Sequence, residues 1–172
     1  MRTKILGFMA FLLVTVLVLT ACGKKMSESE YFEQAKLQEQ NEEFEAAVDS
    51  YLSLYKRFPS GEFGDEALFH AAIIQANILK LFENAIETHD RLLKAFPESK
   101  YTHQSLFMKG FIYANDLNNY VKAEEAYVEF LTKYPNSELS TSVEWEMKNL
   151  GKDINEIEFL SSDQADSLKA ER

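Results

Sequence analysis

The sequence predicts an all-α protein, a solenoid of about three stacked helix pairs closed by a C-terminal capping helix, and three observations carry that expectation. The chain's three prolines, Pro59, Pro97 and Pro135, are evenly spaced, 38 positions apart both times, and repetition at a fixed period of this size marks stacked structural units. Other residues keep the same register: Phe44, Phe82 and Tyr120; Ala47, Ala85 and Ala123; Leu54, Leu92 and Phe130; Phe58, Phe96 and Tyr134 just before the prolines. Within each unit an aromatic residue opens a helix, a small alanine follows one turn later, and large residues recur at helical spacing until proline stops the run.

The helix that precedes each of these is legible too. Leu68-Phe69, Ala72 and Ala76-Asn77 stand over Leu106-Phe107, Gly110 and Ala114-Asn115 at the same offset. Ala35 precedes Ala47 by 12 positions, whereas Ala72 to Ala85 and Gly110 to Ala123 are each 13, so the turns inside the second and third units are expected to hold one extra residue. A fourth helix is expected from about Ser140 to Leu150, ended by Gly151, with Glu144, Glu146 and Lys148 giving it the polar outer face that a terminal unit needs. Asp153 with Glu156 reads as an N-cap pair opening a short helix to Leu160. The solenoid is thus expected over 28–160, followed by a frayed tail over 161–172.

The N-terminal segment, 1–21, belongs to a different class of sequence. Arg2 and Lys4 precede a nearly unbroken apolar run from Ile5 to Leu19, and small residues lead into Cys22. That is the layout of a cleavable secretory leader, and about 15 apolar residues fall short of the roughly 20 that span a bilayer as a helix. Segment 1–21 is therefore expected to be removed, leaving 22–27 as a short linker with Lys24 and Lys25.

Composition narrows the partners. The whole chain has a formal charge of -10, and loss of Arg2 and Lys4 with the leader makes it -10 - 2 = -12. Neither nucleic acid nor an anionic lipid surface is an expected partner of the domain, since binders of the first show a basic face to phosphates, binders of the second need clustered Lys and Arg, and neither stands out along the sequence. The single cysteine leaves no pair for a disulfide, so stability must come from packing. His70, His89 and His103 have no His-x-x-x-His or Glu-x-x-His spacing, and no metal site is expected. His89 matches Tyr51 and Tyr127 in the repeat and reads as a packed histidine. Nothing in the chain suggests a catalytic constellation or a phosphate-cradling loop, and no enzyme activity is expected.

Two resemblances sharpen this reading. Leu19-Thr20-Ala21-Cys22 resembles the lipobox of bacterial lipoproteins, which implies a covalent lipid on Cys22 in place of any other cofactor, with membrane attachment through its acyl chains. Gly23, rather than Asp, after the cysteine implies sorting to the periplasmic face of the outer membrane in a two-membrane host, or display outside the cell in a one-membrane host. The small, aromatic, alanine and proline pattern resembles the tetratricopeptide repeat. Its long Pro-x-Ser loops are similar to those of envelope proteins of the BamD (ComL/YfiO-like) barrel-assembly lipoproteins and the C-terminal domain of the YbgF (CpoB) Tol-Pal coordinators.

The tetratricopeptide resemblance implies a groove lined by each unit's first helix. Its facing positions are Phe32, Phe69, Phe107 and Trp145, a ladder with successive spacings of 37, 38 and 38, extended by Lys36, Ile73 and Phe111 and ended by Asn77 and Asn115. Aromatic residues at helical spacing serve either as groove or as core, and both readings stand at this point. Phe fills the position at which some relatives keep a carboxylate-clamping lysine, so no such clamp is expected. The resemblance implies a non-catalytic, membrane-anchored scaffold that binds envelope proteins or peptides as an accessory in outer-membrane protein assembly. Two other roles are implied by relatives: a peptidoglycan or Tol-Pal-linked cell-wall factor, and a pilotin-like subunit of a secretion or pilus machine.

Overall fold

Helix starts and stops follow local chemistry throughout residues 26–152, the part of the chain that the computed structural model describes. The first helix, α1 (Glu28–Gln40), opens on a capping box in which the Glu30 amide donates to Ser27 Oγ at 3.3 Å and the Ser27 amide donates to the Glu30 carboxylate at 2.7 Å. Three helices, α2 (Phe44–Arg57), α4 (Phe82–Ala95) and α6 (Tyr120–Lys133), end identically. The residue before a proline is driven out of the α region, and Phe58, Phe96 and Tyr134 sit at φ/ψ of -128/65, -131/64 and -129/53. Between them lie α3 (Gly64–Asn77) and α5 (Thr102–Phe111), the latter continued by a π-helical turn, Ile112–Asp116. The last described helix, α7 (Ser140–Lys148), stops just short of the expected Leu150, and Gly151 follows at φ 73. The expected helix from Asp153 to Leu160 and the tail, like the leader and Cys22, lie outside the described residues.

Each helix packs on the next in the chain, so α1/α2, α3/α4 and α5/α6 form three pairs with α7 against α6. The all-α solenoid read from the sequence is therefore the observed architecture. The repeated alanines Ala47, Ala85 and Ala123 are fully buried, as are Leu54, Leu92 and Phe130 below them. Close helix approach is most demanding at Gly110, the counterpart of Ala72, where a Cβ atom would run into the Tyr127 ring. The larger residue on α6 is accommodated by the smaller one on α5.

The extra residue of the second and third units is absorbed where each first helix turns over. In the first unit the amide ahead of the second helix closes this turn by donating to the carbonyl of a residue near the end of the first (Glu43 to Gln38, 2.8 Å). In the others the same bond spans one residue more (Leu81 to Gln75 and Asn119 to Tyr113, both 2.7 Å). All three turns place one residue in the left-handed region, Glu42 at φ 62, Lys80 at φ 56 and Asn118 at φ 51. Asn tolerates that region and Glu and Lys do not, for lack of a compensating side-chain bond. Glu42→Gly and Lys80→Gly are each expected to raise stability by about 0.5–1 kcal/mol in urea melts, and Asn118→Gly by far less. Equal gains at all three positions would refute the strain argument.

Candidate binding face

The ladder positions occupy successive first helices, and the structure shows what each one touches. Phe32 is 4% exposed and stacks on Phe63 with centroids 4.8 Å apart, so it is core rather than groove, which corrects the groove assignment for that residue. Phe69 is half-buried and stacks on Tyr101 at 4.6 Å, with His89 edge-on at 6.3 Å. Phe107, also half-buried, packs against Tyr127 and Phe111 and shares its cluster with Leu139. Phe63, Tyr101 and Leu139 hold one repeat position, immediately before α3, α5 and α7. The first two rungs therefore stack on the following unit, and the third lies in the cluster that Leu139 also joins. Trp145 is the rung on which no described residue stacks, and it is 45% exposed.

The inter-unit loops are pinned by polar residues at a second repeat position, which sequence reasoning missed. Glu28 accepts from the Phe63 amide at 2.8 Å, Asp65 accepts from Ser99 Oγ at 2.6 Å, and His103 Nδ1 lies 3.5 Å from Ser137 Oγ. Glu28, Asp65 and His103 keep the spacings of the ladder itself, and that register was the available signal; it is obscured because three different side chains do the same job. A related chain of contacts crosses from α1 to α3. Glu39 accepts from Tyr51 Oη at 2.7 Å and lies 3.2 Å from His70 Nδ1, and Glu66 lies 4.0 Å from His70 Nε2 and 3.9 Å from Lys100 Nζ. Among the described residues no group of three His, Cys, Asp or Glu side chains converges in a way that could hold a metal ion.

Burial and then Glu39 push the Tyr51 hydroxyl well above its usual pKa, and burial and then Glu146 do the same to Tyr127. The two differ in their bonding, since Tyr127 Oη is buried with no hydrogen-bond partner among the described residues. Tyr51→Phe is expected to cost about 1–2 kcal/mol, and Tyr127→Phe to be neutral or stabilising, in paired denaturant melts. A comparable loss at both sites would show that Tyr127 has a partner after all.

Of the remaining candidates, Ile73 and Phe111 are half-buried and Asn77 and Asn115 are exposed at the ends of their helices. Asn115 and Trp145 do come together. They line a hollow of about 270 Å³ with Tyr120, Glu146, Asn149 and Leu150, whereas Ile73 and Asn77 are not part of its lining. The Asn115 amide donates to the Phe111 carbonyl at 3.2 Å and also reaches Glu146, whose carboxyl burial raises above the ordinary range while that bond partly offsets it. An open indole face beside amides that both donate and accept suits a peptide backbone with an apolar side chain.

Helix pairs stacked in one repeating register, with small residues at their crossings, define a tetratricopeptide-type α-solenoid. The chain belongs to the YfiO family of outer membrane lipoproteins, whose model matches residues 24–161. In fold it is similar to a tetratricopeptide repeat protein from Parabacteroides merdae ATCC 43184, with a TM-score of 0.57 and 19% identity over 78% of this chain. The chain spans 51% of that protein, about half its length. No curated protein matches it.

Proposed function

We propose that this chain is a non-catalytic protein-binding scaffold, held by a lipid on Cys22 at the periplasmic face of the outer membrane, where it is an accessory in outer-membrane protein assembly. Its family supports the location and the class, and no cofactor beyond the covalent lipid enters the reading. The observation that carries protein binding is the rung at Trp145, with Asn115 and Glu146 beside it, on which no described residue stacks, in a ladder whose Phe32 and Phe69 rungs are stacked on the protein's own next unit. A partner segment that supplies an apolar side chain to Trp145 continues the same stacking. A cell-wall role is the second reading, because an indole face flanked by Asn115 and Asn149 is also chemistry that holds a sugar ring.

Two measurements test this. The protein isolated from cells is expected to begin at Cys22 and to carry the mass of two or three acyl chains on it, and an unmodified Cys22 thiol would end the anchor reading. A photoreactive residue at Trp145 or Asn149, both in that hollow, is expected to capture a barrel-assembly component or a nascent outer-membrane protein. Capture of wall enzymes, or retention on purified sacculi without such a partner, would favour the wall role.

A further inference from the structure

Cations that are scattered along this acidic chain converge on one cleft of the fold. Between α2 and α4 lie two adjoining hollows of about 410 and 460 Å³ that share Tyr55 and Arg91. Lys56 lines the first and Lys94 the second, and Asp49 is the one carboxylate in either lining. Arg91 also reaches Glu87 at 2.6 Å on its own helix, and the edge contact of Tyr55 with Phe96 at 6.0 Å fixes the end of α2 against the end of α4. At physiological salt the Debye length is about 8 Å, so carboxylates beyond that distance are largely screened; Glu87 partly offsets Arg91, and Lys56 and Lys94 against Asp49 leave the cleft net positive.

Location supplies the ligand. The C-terminal end of α2 lies beside the start of α1, since Arg57 sits 5.2 Å from the Tyr31 ring centre and Phe58 packs on that ring at 6.2 Å. The linker from Cys22 to Ser27 is short, and even fully extended it reaches only about 17 Å. A lipid on Cys22 therefore tethers this edge of the solenoid, and not the edge carrying the intra-unit turns, close to the bilayer. We propose that the Lys56, Arg91 and Lys94 cleft binds the phosphate headgroups of an anionic phospholipid surface, setting the orientation of the solenoid on its membrane. This rests on the anchored reading for the delivery of the cleft to a bilayer, while the binding chemistry stands by itself.

The test uses the mature chain from residue 22 onward with Cys22→Ser, so that no acyl chain contributes, sedimented with vesicles at about 150 mM salt, where the screening length is about 8 Å. Vesicles of 30% phosphatidylglycerol in phosphatidylcholine are expected to bind at least about 10-fold more protein than phosphatidylcholine alone, given the usual contribution of each cation near such a surface. Lys56→Gln with Arg91→Gln and Lys94→Gln is expected to abolish that preference while leaving the helical circular dichroism and thermal midpoint in place. Asp49→Asn, which removes the one carboxylate in the lining, is expected to strengthen it. Equal binding to both vesicles, or a preference that survives the triple variant, overturns the proposal. So does protection of the cleft by about 10 mM inorganic phosphate without vesicle binding, which would assign it to free phosphate. Acylation of Cys22 is read separately from the mass of the protein isolated from cells, so failure of the anchor and failure of the cleft give different results.

Discussion

Lowering the pH from 7 to 4 is expected to unfold this protein largely through one side chain, His89. The residue is fully buried, neither ring nitrogen has a hydrogen-bond partner among the described residues, and burial followed by the Lys109 charge pushes its pKa down to about 3. In the unfolded chain it titrates near 6.5, so below that pH the unfolded state takes up a proton that the native state refuses. The contribution of neutral His89 is whole above about pH 6.5 and is lost as pH falls towards 3. The loss grows by about 1.4 kcal/mol per pH unit below 6.5, so it is about 3 kcal/mol at pH 4 and approaches about 4–5 kcal/mol only near pH 3, a large share of what a domain of this size possesses. His89→Leu keeps the volume and removes both orphaned nitrogens, and is expected to add about 1–3 kcal/mol at pH 7. Urea melts at pH 7, 5.5 and 4 isolate the effect, because the carboxylates titrate in both proteins. Parallel loss of stability in the two would show that His89 is not the acid-sensitive group.

Truncation of the large residue at the base of each second helix is expected to distinguish the middle unit from the last. Leu92→Ala removes side-chain volume from a fully buried site in α4 and is expected to cost about 2–5 kcal/mol; Phe130→Ala in α6, equally buried, is expected to cost about 3–5 kcal/mol. In a solenoid each unit is stabilised by its neighbours. α4 contacts both α3 and α5, so Leu92→Ala weakens two interfaces and should lower the stability of the whole domain in one transition. α6 likewise contacts two helices, α5 and α7, but these lie at the end of the described solenoid, so Phe130→Ala weakens that end. Its effect is expected to be fraying, with amide exchange fast in α5, α6 and α7 and still protected in α1 to α4, together with a shallower denaturant slope. Uniform loss of protection in the Phe130→Ala protein would mean that the three pairs fold as one unit.

Much of the architecture was legible because it depends on local rules repeated three times. Proline at one position per unit, with an aromatic residue before it, dictated three helix ends with nearly the same backbone angles. Buried alanines and leucines followed from helical spacing, and so did the packed character of His89. The candidate site was legible only in part. Spacing alone put Phe32, Phe69, Phe107 and Trp145 on corresponding places of successive helices, but a place on a helix does not say whether another unit covers it. Phe32 is covered by Phe63 and Phe69 by Tyr101, through loops whose path the repeat does not specify.

The class of this protein was readable from the chain alone: its period, most of its helix boundaries and the small residues at the crossings. These are local or periodic properties, since backbone preference and side-chain spacing act within a few residues and repeat with the unit. Packing of the units settled the rest, namely which aromatic rungs another described unit covers, which polar residues pin the loops, and that Lys56, Arg91 and Lys94 share one cleft. Lys56 and Arg91, distant along the chain, become neighbours only when α2 and α4 pack side by side. No pattern in a chain of net negative charge marks that convergence, because proximity across a helix interface is set by how the units stack and not by their composition.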